Sequence, residues 1–153
     1  MTAPFYQYNY NRLEKIDYPD MKDVYYGYGS PGAKDNGAGR VISIDNGDVQ
    51  ETRKYGRMGE VIESTRKIRI TVPTLTDKTY TTKYQFDSMG RMHQMVYPDG
   101  EILQYTYDAG GMLKSAIGKT NGKEYVYVKE IKYDALGQRT RMELGNGDIT
   151  TYE

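Results

Sequence analysis

The stretch that decides the fold covers residues 84–100 and reads Tyr-Gln-Phe-Asp-Ser-Met-Gly-Arg-Met-His-Gln-Met-Val-Tyr-Pro-Asp-Gly. Tyr84 and Phe86 are two residues apart, so a β-strand would place both rings on one face. Asp87 opens a four-residue reversal, because its side chain can bond to the backbone, and Gly90 ends it, because glycine can adopt a positive φ. A second strand follows, and its Pro-Asp-Gly end reverses the chain again. The stretch predicts one complete β-hairpin and the turn into the next.

The same plan recurs six times along the chain, so the repeat is the unit to interpret. We align the repeats on the second aromatic residue of each first strand and call it the anchor. The six anchors are Tyr8, Tyr28, Tyr55, Phe86, Tyr107 and Tyr133. A Tyr-Pro-Asp turn begins six residues after Arg12 in repeat one, as it does after Arg91 in repeat four. Anchor spacing varies from 20 to 31 residues, and we place the variation in turns and loops, where insertions cost little.

Each repeat supplies two strands, so six repeats predict an all-β chain. We expect a repetitive antiparallel β-hairpin meander of about twelve strands, forming one domain over residues 1–153. The composition agrees, because 17 Tyr and 17 Gly suit strands joined by tight turns better than helices. Asn-Gly pairs at 46–47, 121–122 and 146–147 predict hairpin turns with positive φ at both residues.

Three further features concern the extent of the array. Residues 29–39 are expected to be an enlarged turn inside repeat two, and repeat three is expected to return through Pro73. Tyr152 would begin a seventh repeat, so we expect a longer array. Twelve strands in an open sheet would leave long edges and one aromatic face to cover, with three possible outcomes: the sheet curls on itself, folds into two layers or pairs with a second chain. We expect strong curling, with self-association through residues 25–28 or 150–153.

Composition excludes several classes of function. The chain has 21 basic and 21 acidic residues, a formal net charge of zero, which argues against a nucleic-acid or anionic-membrane binder. The absence of Cys excludes disulfides, thiolate metal sites and a cysteine nucleophile. No apolar run approaches the roughly 18 residues needed to span a bilayer, so no membrane insertion is expected. The opening Met-Thr-Ala-Pro-Phe-Tyr lacks the pattern of a secretory leader, so none is expected.

The candidate catalytic and ligand-binding residues all have a plainer structural explanation. Asp87, Asp108 and Asp134 could serve acid–base chemistry, but they recur with the repeat and are therefore expected to cap their own turns. His93 is the only His and stands outside any ligand cluster, so we expect a strand residue. We predict no catalytic residue, no cofactor and no metal.

Two other patterns resemble binding motifs. Residues 27–32 fit Gly-x-Gly-x-x-Gly, but no helical period follows, so an enlarged turn is expected instead of a phosphate site. The basic residues between 53 and 69 alternate with Glu, which indicates a solvated sheet face and not a phosphate-tracking groove. A Tyr-rich face can also stack on sugars, which leaves a carbohydrate or cell-surface binding module as the alternative function.

The repeats resemble a known family. Tyr-Asp-Ala-Leu-Gly-Gln-Arg at 133–139, Phe-Asp-Ser-Met-Gly-Arg at 86–91 and Tyr-Asp-Ala-Gly-Gly at 107–111 are similar to the Tyr-Asp (YD) repeat of bacterial Rhs proteins. Shell subunits of insecticidal toxin complexes and teneurins carry the same repeat. Gly29 and Gly56 replace the Asp in repeats two and three. The residues matched to the repeat motif, all expected to be structural, are Tyr84, Phe86, Asp87, Gly90, Arg91, Tyr105, Tyr107, Asp108, Gly111, Tyr133, Asp134, Gly137 and Arg139.

The resemblance implies an architecture and a role. A YD-repeat sheet curves into a hollow shell, which is a scaffold and not a catalyst, and this chain would be one fragment of its wall. Such a shell encloses or presents a toxin or effector, so the implied partners are the rest of a longer repeat array or an effector domain. The implied location is outside a bacterium or on its surface, and the further partner to consider is a glycan.

Overall fold

The computed structural model describes residues 3–70, 74 and 76–152. All helices and strands assigned within these residues are β-strands, with no helix among them. Pro73, on the expected return of repeat three, and Glu153 lie outside the described residues. The strands are β1 (Phe5–Asn9), β2 (Arg12–Asp17), β3 (Val24–Tyr28), β4 (Val41–Asp45), β5 (Val49–Tyr55), β6 (Val61–Ile70), β7 (Thr76–Phe86), β8 (Met92–Val96), β9 (Ile102–Tyr107), β10 (Leu113–Thr120), β11 (Lys123–Tyr133), β12 (Arg139–Leu144) and β13 (Ile149–Thr151). They are hydrogen-bonded in sequence order in one sheet. The predicted all-β antiparallel meander is confirmed, and the short β13 raises the number of strands to thirteen.

The chain divides into two compact units, and the division falls within β7. The first unit comprises Met1–Thr82 and contains β1 to β6 with most of β7. The second comprises Lys83–Glu153 and contains the end of β7 with β8 to β13. The single domain inferred from the sequence stays a prediction. The described part of the chain holds no helix of the length and apolar character that crossing a membrane requires.

The motif turns close in the same way in three repeats of the second unit. The amide of Gly90 donates to the carbonyl of Asp87 at 3.0 Å. The corresponding bonds run from Gly111 to Asp108 at 3.0 Å and from Gly137 to Asp134 at 3.1 Å. The three glycines have φ of +76°, +85° and +79°, a region that side chains with a β-carbon resist.

A β-bulge accompanies the anchor in every repeat. The anchor pairs with a residue of the second strand, and the register then shifts by one residue. The extra residues are Glu14, Ile42, Ile62, His93, Lys114 and Thr140. A bulge interrupts the ladder of backbone hydrogen bonds and increases the local twist. His93 is therefore a strand residue, as predicted, and specifically a bulge residue.

One prediction about turn type was only partly right. Asn121 and Gly122 both have positive φ, +50° and +74°, as expected of a two-residue hairpin turn. Asn46 instead caps a longer turn, because its side-chain oxygen accepts hydrogen bonds from the amides of Asp48 and Val49. That local bond lets Asn46 avoid the left-handed region, and only the following glycine has a positive φ, +83°. The pair at 146–147 likewise has a positive φ only at its glycine.

The expected edge at residues 25–28 was wrong. Strand β3 lies inside the sheet, where it pairs with β2 on one side and β4 on the other. The strands at the two ends of the order are β1 and β13. Every residue of β1 and β13 is exposed.

The core is thin. The buried apolar residues among those described are Ile16, Tyr55, Ala116 and Ile131. No described side chain is completely buried. Most tyrosines are instead partly exposed, which suits a ring that is apolar along its sides and polar at its tip. The sheet faces are therefore left largely uncovered.

Candidate functional site: a ladder between successive repeats

The aspartate of the motif turn is engaged by its own turn. Oδ1 of Asp87 accepts hydrogen bonds from the amides of Met89 and Arg91, both at 2.9 Å. Nε of Arg91 donates to Oδ2 at 2.8 Å. These bonds, the amide of Arg91 first, lower the pKa of Asp87, because they stabilise its ionised form. The carboxylate is therefore a turn cap held by its neighbours.

The other two motif aspartates repeat this arrangement. Oδ1 of Asp108 accepts from the amide of Met112 at 2.8 Å. Oδ1 of Asp134 accepts from the amides of Leu136 and Gln138 at 2.9 and 2.8 Å. A carboxylate that satisfies its own turn in three places is a structural element of the repeat.

In four of the six repeats, the last residue of the motif turn reaches into the next repeat. We call it the closing residue, and it directly precedes the residue that pairs with the anchor. The six closing residues are Arg12, Arg40, Glu60, Arg91, Met112 and Gln138. In three repeats its guanidinium lies over the anchor ring of the following repeat: Arg12 over Tyr28 at 5.4 Å, Arg40 over Tyr55 at 5.4 Å and Arg91 over Tyr107 at 4.6 Å. Each pair is a cation–π contact between successive repeats.

The same side chains lie against the turn glycine of the following repeat. A β-carbon placed on Gly111 would be 3.3 Å from Nη1 of Arg91. A β-carbon on Gly137 would be 3.6 Å from Cε of Met112, so a thioether occupies the equivalent place in repeat five. The glycine thus serves both the turn conformation and the packing of the preceding repeat.

The anchor hydroxyl completes the connection. Tyr28 donates to the carbonyl of Leu13 at 3.0 Å, Tyr107 to that of Met92 at 2.6 Å, and Tyr133 to that of Leu113 at 2.9 Å; Tyr55 donates to the carbonyl of Val41. Every acceptor directly precedes the bulge residue of the preceding repeat. Because a bulge interrupts the ladder, a carbonyl beside it needs another donor, and the phenol of the next repeat supplies one. We call these stacking and hydroxyl contacts together the inter-repeat ladder.

Repeats three and four depart from the pattern in sequence. Gly56 of repeat three takes the place of Asp87 in repeat four, and Glu60 of repeat three takes the place of Arg91 in repeat four. The Glu60 carboxylate occupies the space beside Gly56, since a β-carbon there would meet Oε2 at 3.0 Å. That oxygen is buried and has no hydrogen-bond partner among the described residues. The anchor of repeat four is Phe86, which has no hydroxyl to donate.

The remaining motif residues occupy regular strand positions. Tyr84 pairs with Met95, and Tyr105 pairs with Ala116. Burial raises the pKa of Tyr105. Arg91 directly precedes the residue that pairs with its anchor, Phe86. Arg139 comes one position later in its own repeat, because it pairs with the anchor Tyr133 itself. Its guanidinium lies 5.2 Å from the ring centre of Tyr152.

Sequence reasoning missed the inter-repeat ladder, although the sequence carries a signal for it. Each arginine of the ladder precedes its partner tyrosine by 15 or 16 residues, as Arg12 precedes Tyr28 and Arg40 precedes Tyr55. This spacing joins residues of two neighbouring repeats. It was missed because the repeat was defined from the residues of a single hairpin.

The basic stretch of the first unit is neutralised locally. Glu51 accepts from Nε of Arg53 at 2.7 Å and from Nε of Arg66 at 3.0 Å. Lys54 pairs with Glu63 at 2.9 Å. Such interleaved ion pairs are typical of a solvent-exposed sheet face, where each pair contributes little to stability.

The glycine-rich loop of repeat two closes on itself. The amide of Gly39 donates to the carbonyl of Gly29 at 2.8 Å, and the amide of Gly29 donates to the carbonyl of Arg40 at 3.0 Å. The chain then enters β4. Over residues 3–70, 74 and 76–152, no group of three His, Asp or Glu side chains is arranged to hold a metal ion.

Comparison with known proteins relates the chain to toxin subunits. It is 37% identical over 79 residues to toxin subunit YenC1 of Yersinia entomophaga, and 33% identical over 79 residues to toxin subunit YenC2 of the same organism. Each match covers 51% of this chain and 8% of the relative. The chain therefore corresponds to a small part of the length of these relatives. No protein-family profile matches it.

Solved structures share the fold over nearly the whole chain. The crystal structure of TcdB2-TccC3 superposes with a TM-score of 0.81 at 22% identity, covering 99% of this chain and 8% of that one. The Photorhabdus luminescens Tc holotoxin pore superposes with a TM-score of 0.80, also at 22% identity and with the same coverage. The chain thus has the fold of a segment of these toxin-complex proteins.

Proposed function

We propose that this chain is a wall segment of an Rhs-type YD-repeat shell and that it acts as a scaffold without catalytic activity. The inter-repeat ladder carries the proposal, because among the described residues it joins repeat one to two, two to three, four to five and five to six. Such a ladder extends a sheet by one hairpin at a time. The motif carboxylates that chemistry would need are held by their own turns.

The thin core supports the same proposal. A sheet whose described residues include four buried apolar side chains and many exposed aromatic rings gains stability when further repeats or an enclosed polypeptide cover its faces. The coverage of 8% of the relatives fits a segment of a longer wall. In this role the chain belongs to a larger protein that encloses or presents a toxin or effector outside a bacterium or on its surface.

The test is cryo-electron microscopy of the protein produced from its complete coding sequence, combined with limited proteolysis. We expect a closed repeat sheet around a cavity, and an enclosed polypeptide that resists protease until the wall is opened by denaturant. An isolated sheet that encloses nothing and hydrolyses a small substrate would contradict the proposal.

The uncovered sheet ends also favour association. Strand β1 presents Phe5, Tyr6 and Tyr8 at 66%, 48% and 64% exposure, and its outer edge offers unpaired backbone groups. Pairing of β1 or β13 with another strand would satisfy these groups, whether from a longer array or from a second molecule. Light scattering tests the second case: mass should rise with concentration, and a constant monomer mass would exclude it.

A carbohydrate or cell-surface binding module is the second candidate. Tyr125 and Tyr127 lie two residues apart in β11 and are 46% and 48% exposed, which offers rings for a sugar to stack on. Glycan-array binding that disappears in Tyr125→Ala/Tyr127→Ala, and survives in Tyr6→Ala, would favour this candidate.

A further inference from the structure

A cleft of about 350 Å³ lies beside the turn that joins β8 to β9 in the second unit. It is lined by Tyr97, Asp99, Glu101, Leu103 and Tyr127. We propose that this cleft binds an organic ammonium cation, such as the side chain of a lysine in a partner polypeptide. The inference does not depend on the shell role, because it rests only on side chains of the second unit.

One wall of the cleft is fixed by a hydrogen bond and by a glycine beneath it. The hydroxyl of Tyr127 donates to Oε1 of Glu101 at 2.6 Å, and this bond raises the pKa of Tyr127. Gly118 is buried below the pair. A β-carbon there would lie 2.5 Å from Oε1 of Glu101 and would collide with the Tyr127 ring. The absence of a side chain at Gly118 therefore gives both groups their position.

The opposite wall is held by the turn itself. The amide of Tyr97 donates to the carbonyl of Glu101 at 2.8 Å, and the amide of Gly100 donates to the carbonyl of Tyr97 at 3.0 Å. Oδ1 of Asp99 accepts from the amide of Glu101 at 3.1 Å. The turn thus fixes the carboxylate of Asp99 and the backbone that carries the Tyr97 ring.

The lining is rich in acceptors and carries negative charge. Asp99 and Glu101 each use one oxygen in the bonds just described. Within the described ranges, the chain donates no hydrogen bond to the second oxygen of either carboxylate. No lysine or arginine lines the cleft. Ionised carboxylates only accept hydrogen bonds, so a matching ligand must be a donor and preferably a cation.

The tyrosine rings favour an organic cation over a hydrated metal ion or a neutral sugar. Tyr97 and Tyr127 are 38% and 48% exposed, and ring faces attract ammonium groups through their quadrupoles. A neutral sugar can donate to the two carboxylates, but it carries no charge to balance theirs. The combination of two rings with two carboxylates fits a –NH₃⁺ or –N(CH₃)₃⁺ group on an apolar stem.

The experiment is an NMR titration of the ¹⁵N-labelled chain. The probes are Nα-acetyl-lysine methylamide, tetramethylammonium chloride, the neutral Nα-acetyl-norleucine methylamide, and methyl glucoside. We expect saturable shifts of the Gly100 and Gly118 amides with both cations and none with the neutral compounds. Tighter binding of the lysine derivative indicates a polypeptide source, and tighter binding of tetramethylammonium indicates a quaternary ammonium source.

Paired variants separate the cleft from general surface charge. Glu101→Gln and Tyr127→Ala should each weaken cation binding by about fivefold or more. Asp99→Asn gives a second measurement in case Tyr127→Ala loses its native spectrum. Glu124→Gln and Tyr6→Ala, which also change exposed residues, should bind as the unmodified chain does. Unchanged binding in folded Glu101→Gln and Asp99→Asn, or binding of methyl glucoside alone, would overturn the proposal.

Discussion

The guanidinium carbon of Arg91 lies 4.6 Å from the centre of the Tyr107 ring, and Nε of the same arginine binds Oδ2 of Asp87 at 2.8 Å. One side chain therefore ties the turn of its own repeat to the anchor of the next. A second contact joins the same two repeats, because the hydroxyl of Tyr107 donates a hydrogen bond to the carbonyl of Met92 at 2.6 Å. Successive hairpins are joined by side chains in addition to strand pairing.

Arg91→Ala should lower the free energy of unfolding by about 1 kcal/mol, because it removes the cation–π contact and the pairing with Asp87. Arg91→Met should cost less, since Met112 shows that a thioether can occupy the corresponding place. Urea unfolding followed by tyrosine fluorescence measures both values. Arg57→Ala, at an exposed turn position, is the control, and an equal effect there would remove the special role of Arg91.

Tyr107→Phe should destabilise the chain by about 1 kcal/mol, because the carbonyl of Met92 loses its donor beside the bulge. The ring and its stacking with Arg91 remain, so the variant isolates the hydroxyl. The matched control is Tyr6→Phe, whose ring is 48% exposed in an end strand. A difference between the two variants of less than a few tenths of a kcal/mol would argue that the hydroxyl bond is dispensable.

Gly90→Val should destabilise the fold by about 1–3 kcal/mol, because a β-branched residue resists the φ of +76° at this position. Gly90→Asn should cost clearly less, since asparagine tolerates the left-handed region and Asn121 adopts a φ of +50° in this chain. Thermal unfolding measures both variants. Equal melting temperatures for Gly90→Val and the unmodified chain would contradict the role given to this turn.

Acid should remove the contribution of Asp87 to stability. Its pKa in the folded chain lies below the ordinary value of 3.8, so the unfolded chain binds more protons in this region. The contribution is complete above pH 3.8 and is lost as the pH falls through the lower, folded pKa. Asp87→Asn should therefore be less stable than the unmodified chain at neutral pH, and the difference should shrink below pH 3.8.

The measurement for Asp87 is urea unfolding at a series of pH values. Ser88→Ala, in the same turn, carries no titratable group, so its difference from the unmodified chain should not change with pH. A difference for Asp87→Asn that stays constant down to the acid limit would refute the pKa argument.

The residues that signal each hairpin lie within a single repeat, so the sequence by itself was sufficient to predict the hairpins. The aromatic residues at 84 and 86 predict a strand, and Asp87 and Gly90 predict the reversal, because alternation, Asp capping and glycine φ are local properties of a few residues. Repetition of these signals was sufficient to predict the all-β meander. The exceptions were also local, since the side chain of Asn46 offered a backbone bond that competed with the expected turn type.

Tertiary structure alone decided how one hairpin meets the next. The bulge at each anchor sets which carbonyl faces the following tyrosine, and a shift of one residue would turn every side chain to the other face. The contact of Arg91 with Tyr107 and the seating of Tyr127 above Gly118 depend on that register and on neighbouring strands. Residues that lie far apart along the chain come together through pairing geometry, which local sequence patterns do not encode.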